Sequence, residues 1–240
     1  MATTDISASQ KNFENLKNNP YPGRGIVIGK SPDGSKTFQI YWIMGRSANS
    51  RNRIFVKEDN GFLKTKAFDE SKVEDPSLII YYPLKHINGS HIVTNGDQTD
   101  TVFESLASGA GFEGALETRD PEPDAPNFTP RISGICRHGD DSYKFSIIKT
   151  IAHGSCTGRY FFNYKNTIAG CGHLITTYTG DGSPLPSFEG EPQIVPIFES
   201  AQENLEKYWS ALDTGNRISI LVKTIERNGS FDVILKNKFE

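Results

Sequence analysis

Apolar positions along the chain fall in short runs separated by turn-forming residues, the pattern of many strands and few helices. Gly25 to Gly29 (GIVIG) is a continuous apolar run that reads as a buried strand. Ser31 to Ser35 (SPDGS) is turn chemistry and Thr37 to Met44 a second strand, so the two form a hairpin. Leu78 to Tyr82 (LIIYY) reads as a strand that Pro83 ends or confines to a sheet edge. Ile87 and His91 to Thr94 flank Asn88-Gly89, and Ile218 to Ile225 and Phe231 to Leu235 flank Asn228-Gly229. Both dipeptides favour the tight turn of a hairpin. Arg131 to Arg137, Tyr143 to Ile151, Arg159 to Tyr164 and His173 to Tyr178 read as strands between Gly-rich turns.

Helical periodicity is rarer. Ser7 to Leu16 puts Phe13 and Leu16 on one face and stops at Asn18-Asn19-Pro20. The polar loop Asn95 to Thr101 feeds a helix carrying Val102, Phe103, Leu106 and Ala107, with Asp97 or Thr99 as N-cap. A second short helix runs from Phe112 to Thr118. Ser200 to Leu212 has the clearest pattern: Leu205, Tyr208, Trp209 and Leu212 share a face, and Ser200 and Glu203 form a capping box. Arg119 to Pro130 (RDPEPDAPNFTP) is too proline-rich for a helix interior or a central strand. Long rigid loops of this kind are often functional. Strands in runs with a few helices segregated between them argue an α+β domain.

Composition adds boundaries. At 240 residues, 36% hydrophobic and 23% charged, the chain suits one sizeable soluble domain. No repeat or linker divides it, so residues 1–20 are expected to be a polar N-terminal extension and residues 21–240 a single domain. A formal net charge of −3 argues against a general polyanion binder, so no nucleic-acid partner is expected. No run of eighteen apolar residues occurs, so no membrane is expected either. A polar N-terminus without an apolar signal core, and an odd count of three cysteines, point to the cytoplasm.

Against that ordinary background one stretch is unusual. Trp42 to Phe55 (WIMGRSANSRNRIF) leaves one strand through Gly45, carries Arg46, Arg51 and Arg53, and enters another strand. Clustered guanidiniums repel one another, and Arg is the side chain suited to bidentate recognition of phosphate or carboxylate. Gly45 permits backbone angles or a close approach that a side chain would block. Arg24 begins the first strand and Arg46 follows the second, and in a hairpin those ends adjoin. The arginines read either as neighbours in a solvated loop or, more sharply, as an anion cradle. Tyr81 or Tyr82 could add a phenol, and Glu122 or Asp124 a carboxylate.

Two other constellations compete. His153, Cys156, Cys171 and His173 are zinc-ligand types, but their spacing is irregular for a zinc site. Cys156 beside His153 could be a nucleophile with its base. No Walker loop or dinucleotide fingerprint occurs.

Taken in order, Tyr21-Pro-Gly-Arg24, Gly45-Arg46-Ser47, Asn52-Arg53, Ile80-Tyr81, Asn95-Gly96, Thr99-Asp100-Thr101, Glu122-Pro-Asp124 and Thr129-Pro130-Arg131-Ile132 resemble the archaeal-type IMP cyclohydrolase family. The resemblance implies an enzyme that closes the purine ring of 5-formamidoimidazole-4-carboxamide ribotide to IMP with loss of water. It implies the four-layer αββα sandwich of the N-terminal-nucleophile hydrolases, with two mainly antiparallel sheets. It also implies that Arg53, Tyr81 and Glu122 are catalytic, and that Arg24, Arg46, Asn95, Gly96, Thr99, Asp100 and Arg131 bind substrate. No metal and no cofactor are expected, the ligand is a purine nucleotide, and the enzyme is expected to be a homo-oligomer. A nucleotide amidohydrolase using the same pocket, or a non-catalytic nucleotide-binding regulatory module, are the alternatives.

Overall fold

A computed structural model describes residues 2–73, 76, 79–151 and 156–239. The chain opens with α1 (Ala2–Lys17), then the hairpin β1 (Gly25–Lys30) and β2 (Lys36–Met44). A single helical turn, α2 (Ala48–Arg51), precedes β3 (Ile54–Lys57) and β4 (Leu63–Lys66). The hairpin β5 (Leu84–Ile87) and β6 (Ser90–Thr94) leads into α3 (Gln98–Ala107) and α4 (Phe112–Glu117). The strands β7 (Arg131–Arg137), β8 (Tyr143–Ile151), β9 (Cys156–Tyr164), β10 (Cys171–Thr176) and β11 (Gln193–Pro196) follow. The chain ends with α5 (Ala201–Ala211), β12 (Arg217–Glu226) and β13 (Phe231–Asn237).

The strands sort into two antiparallel sheets. One has six strands in the order β11-β10-β1-β2-β12-β13, the other seven in the order β3-β4-β5-β6-β7-β8-β9. Their inner faces pack together through Ile26, Ile28, Tyr41, Ile43, Phe55, Ile132, Phe145 and Leu221. The outer face of the six-stranded sheet is covered by α1 and α5, where Phe13, Leu16, Trp42, Leu205, Tyr208 and Trp209 form a second core. The outer face of the seven-stranded sheet is covered by α3 and α4 through Ile92, Val102, Phe112, Leu116, Ile135 and Ile148. The result is an α+β sandwich of four layers, helix–sheet–sheet–helix. Burial on both faces explains why GIVIG shows no polar alternation: Ile26 and Ile28 face the partner sheet, while Val27 faces the helices.

Most predicted elements occur where expected, with the following differences. Ile79 to Tyr82 form no strand; Leu78 lies outside the described residues. Ile79 and Ile80 turn back onto the Pro76 carbonyl instead, and the Tyr81 backbone is held by Thr65. The arginine stretch does join two strands, β2 and β3, which belong to different sheets, and its loop contains the single turn α2. Asp97 does occupy the N-cap of α3 but makes no capping hydrogen bond, since its carboxylate pairs with Arg119 and Arg131. At α5 only half of the predicted box forms: Ser200 accepts from the Glu203 backbone N–H. The N-terminal helix is also longer than the predicted one, starting at Ala2, and it buries Phe13 and Leu16.

Candidate functional site

The start of β1 and the end of β2 lie side by side, with Gly25 opposite Trp42. That pairing sets Arg24 beside the chain leaving β2, where α2 folds back over Gly45. A Cβ on Gly45 would sit 2.8 Å from the Ser50 backbone, so close approach is what this glycine supplies. Ser47 and Ser50 cap the turn reciprocally. The segments 122–129 and 178–185 close the other sides of a cleft of about 250 Å³. Arg24, Arg46, Arg53, Glu122 and Asp124 line it, with Tyr21, Asn49, Ser50, Asn127, Thr129 and Tyr178. A larger cleft of about 330 Å³ lies next to it beneath α1, but it contains no basic side chain.

Arg53 is fully buried. Its Nε donates to Ser50 O at 2.8 Å and its Nη2 to Met44 O at 3.2 Å. Among the described residues Nη1 has no partner, and neither has Nε of Arg24. Unpaired buried guanidinium N–H groups are costly unless something fills the space they face. Arg24 Nη2 lies 3.6 Å from Glu122 Oε2, both side chains being largely buried. Burial raises the Glu122 pKa above the ordinary carboxylate value, against the opposing pull of Arg24, Arg131 and Arg53. Burial opposes the charge on Arg24, but Glu122 and the phenols of Tyr81, Tyr178 and Tyr41 outweigh it and hold the guanidinium protonated. Burial, and then repulsion from Arg24, lower the pKa of Arg53. Tyr81 bonds Tyr41 hydroxyl to hydroxyl at 2.7 Å, and both phenols act on Arg24 and Arg53.

Arg24, Arg46, Arg53 and Glu122, singled out in the sequence, share this cleft; Tyr81 stands against it through Arg24 and Arg53. Arg46 lies over the Tyr21 ring at 5.1 Å and pairs with Asp181. Arg51 turns away, with Nε donating to Gly45 O at 3.0 Å and Nη2 to Asn216. Tyr82 also points elsewhere, to Glu58. Asn95, Gly96, Thr99, Asp100 and Arg131 are not on the cleft wall. Asn95 ties the Pro130 carbonyl and the Ile132 N–H, and Thr99 bonds Thr94. Asp100 pairs with Lys85, while Arg131 bonds Asp97, Gln98 and the Asp120 carbonyl. Gly96 and Arg131 stand directly behind Glu122: a Cβ on Gly96 would lie 3.4 Å from Glu122 Oε1 and 3.0 Å from Arg131 Nη1.

Sequence reasoning missed Tyr178, Thr129 and Asn49 as cleft residues. Tyr178 ends an apolar strand pattern, where a tyrosine signals only core packing. Of the residues considered for zinc or for a nucleophile, His153 lies outside the described residues. Cys156 is exposed and Cys171 buried. The His173 ring accepts or donates through Nδ1 to Tyr143 at 2.6 Å and stacks on Tyr164. Among the described residues no group of three His, Cys, Asp or Glu side chains is placed to hold a metal.

Comparison with known proteins matches residues 21–229 to the family described as IMP cyclohydrolase-like protein. The IMP cyclohydrolase of Methanopyrus kandleri is 29% identical over 171 residues, covering 70% of this chain and 79% of that protein. That of Methanocaldococcus jannaschii is 32% identical over 117 residues, and that of Methanococcus maripaludis strain S2 29% over 127. These two alignments span 56% and 61% of the relatives' own lengths, less than two thirds of each.

Proposed function

The chain belongs to the IMP cyclohydrolase-like family, and from that premise we propose that it closes 5-formamidoimidazole-4-carboxamide ribotide to IMP, releasing water. The observation that carries the reading is the pairing, in one cleft, of unpartnered buried guanidinium N–H groups with a buried carboxylate. A ribotide offers what such a cleft takes: an anion for the arginines and an acidic N–H for the carboxylate.

The reaction forms one C–N bond and expels one oxygen. The carboxamide nitrogen attacks the formyl carbon and gives up a proton as it does so. Glu122 is the proposed acceptor, and a carboxylate whose pKa is raised by burial is the stronger base. The formyl oxygen gains negative charge during attack. Arg53 Nη1 and the Tyr81 hydroxyl are the proposed donors to it. Tyr41 supports that role, because its own hydroxyl bonds that of Tyr81 and can donate to it, freeing the Tyr81 proton. Protonation of the oxygen gives a carbinolamine; loss of hydroxide as water, with the remaining formamido N–H proton, leaves the aromatic ring. Arg24 and Arg46 are proposed to bind the substrate. Asn95, Gly96, Thr99 and Arg131 are proposed to act from behind, keeping the Glu122 segment in place, while Asp100 pairs with Lys85.

The test is direct. Purified protein mixed with the formamido ribotide should generate the ultraviolet absorbance of IMP, with stoichiometric loss of substrate. Unchanged substrate in the presence of folded protein would overturn the proposal.

A further inference from the structure

The hydroxyl of Tyr178 lies 2.7 Å from Thr129 Oγ1. Thr129 Oγ1 has one proton, and it is donated to Asp124 Oδ2. The other carboxylate oxygen, Asp124 Oδ1, accepts the Thr129 backbone N–H at 2.6 Å. A hydroxyl that has given its proton to a carboxylate can only accept from its next neighbour. Tyr178 therefore donates to Thr129, and its single proton is committed there. Burial pushes the phenol up to about 12, so that proton is retained at neutral pH. What the phenol oxygen has left is a lone pair.

Tyr178, Thr129 and Asp124 all line the arginine cleft; Tyr178 also borders the larger cleft, but Thr129, which holds its hydroxyl, does not. The ring cannot easily swing away, because it is buried and stacked on Tyr21 at 6.0 Å. Around it the cleft is rich in donors, being lined by Arg24, Arg46 and Arg53. Those donors attract anions and acceptors of every kind. A fixed neutral acceptor among them is selective, since it is satisfied only by a group with a proton to give. A site built to bond a ligand O–H or N–H rejects an analogue that lacks it.

Resting on the reading that this cleft takes a purine ribotide, we propose that Tyr178 is a specificity-determining residue, its hydroxyl locked as an acceptor by Thr129 and Asp124 to receive a neutral O–H or N–H donor of the bound nucleotide. The donor is either a ribose hydroxyl or the ring N–H next to the carbonyl, which in the substrate is the carboxamide. Asp124 acts through Thr129 and is a positioning residue. This gives the proline-rich segment two carboxylates with separate tasks: Glu122 faces the guanidiniums, and Asp124 sets the polarity of a hydrogen-bond chain.

Titration calorimetry with three probes tests it: IMP, 2′,3′-dideoxy-IMP without ribose hydroxyls, and purine riboside 5′-monophosphate without the ring N–H. Tyr178→Phe should weaken IMP about tenfold, the size of one hydrogen bond. The analogue lacking the donor that Tyr178 reads should already bind wild-type protein more weakly by that factor and lose nothing more in the variant. Which analogue does so identifies the donor. Thr129→Val frees the phenol to rotate and donate, so discrimination between IMP and that analogue should shrink; Thr129→Ser should preserve it. The inference is overturned if Tyr178→Phe binds IMP as wild type does. It is equally overturned if all three probes weaken by the same factor, because the ring would then only pack. Circular dichroism confirms folding of each variant. Failure of the function itself has a different signature: wild-type protein that neither binds IMP nor forms it from the formamido ribotide.

Discussion

Arg53 and Arg24 face the same cleft with different prior commitments, and this decides what each substitution does. Arg53 uses Nε and Nη2 on backbone carbonyls, and among the described residues its Nη1 has no partner. Lysine keeps the charge but has no planar fork to hold two carbonyls and still donate to a third group. Arg53→Lys should therefore lower kcat by roughly 100-fold or more, as loss of a donor to a developing oxyanion does, with little change in KM. Arg24→Lys should act mainly on KM, since a lysine point charge still binds phosphate. Glu122→Gln should spare KM and remove the base. Steady-state kinetics on the three variants check this; increases in KM alone for Arg53→Lys and Glu122→Gln would reduce both residues to grips. The raised pKa of Glu122 adds a pH signature. A base must be deprotonated, so kcat should fall as pH drops through a value above 4.5, and this limb should vanish in Glu122→Gln. At this scale the sequence made charges legible and geometry not. Arg24, Arg46, Arg53 and Glu122 stand out because such groups rarely cluster without a ligand. Nothing in their order reveals that Arg51 turns out to Asn216, or that the Tyr178 phenol turns in.

Hairpins were the readable elements, because Asn88-Gly89 and Asn228-Gly229 supply the turn from a local signal alone. Sheet partition was not readable. Whether β2 and β3 pair depends on partners far away in sequence: β12 takes one side of β2, and β3 pairs with β4. Two predictions live at this scale. Gly96 has an ordinary φ, so its constraint is space and not backbone conformation: an added Cβ would stand 2.6 Å from Gln98 Oε1 and 3.0 Å from Arg131 Nη1. Gly96→Ala should shift that pair and the Glu122 behind it, lowering kcat together with a loss of roughly 1–3 kcal/mol. For a domain of this size that is a Tm decrease of several degrees in a thermal melt. The second prediction concerns α1. Phe13 packs edge-on against Tyr208 at 5.1 Å and Phe198 at 5.9 Å, outside the six-stranded sheet. Phe13→Ala should cost about 3–4 kcal/mol in urea unfolding while kcat of the folded protein is retained. Lost turnover at full stability would show instead that α1 shapes the cleft.

The molecule as a whole places its apolar cores in three layers, yet one end of the space between the sheets is polar. Lys223 on β12 pairs in register with Gln39 on β2 and is fully buried, its ammonium 4.2 Å from the Phe231 ring centre. His91 is buried close by, with His86 and His138 on either side, and among the described residues neither of its ring nitrogens is bonded. Burial, then the charge of Lys223, lower the His91 pKa to about 3, and burial lowers His173 to about 4. Burial lowers Lys223 to about 8. The sign is the same for all three. A base whose folded pKa is depressed binds fewer protons folded than unfolded, so stability rises with pH between the folded and the unfolded values. For the histidines that window runs from about 3 to 6.5, and for Lys223 from about 8 to 10.5. Urea unfolding of the wild-type protein should therefore lose on the order of 3 kcal/mol for each of the two histidines between pH 7 and pH 4. Carboxylates titrate in the same range, so variants must isolate the source. His91→Leu breaks no hydrogen bond and should flatten the acid slope. Lys223→Met removes an unpaired buried amine, and should raise stability at pH 7 by on the order of 2 kcal/mol. It should also abolish the rise above pH 8. A wild-type profile flat from pH 4 to 7, or a slope unchanged in His91→Leu, would mean that water reaches these groups and that the end of the sandwich is open.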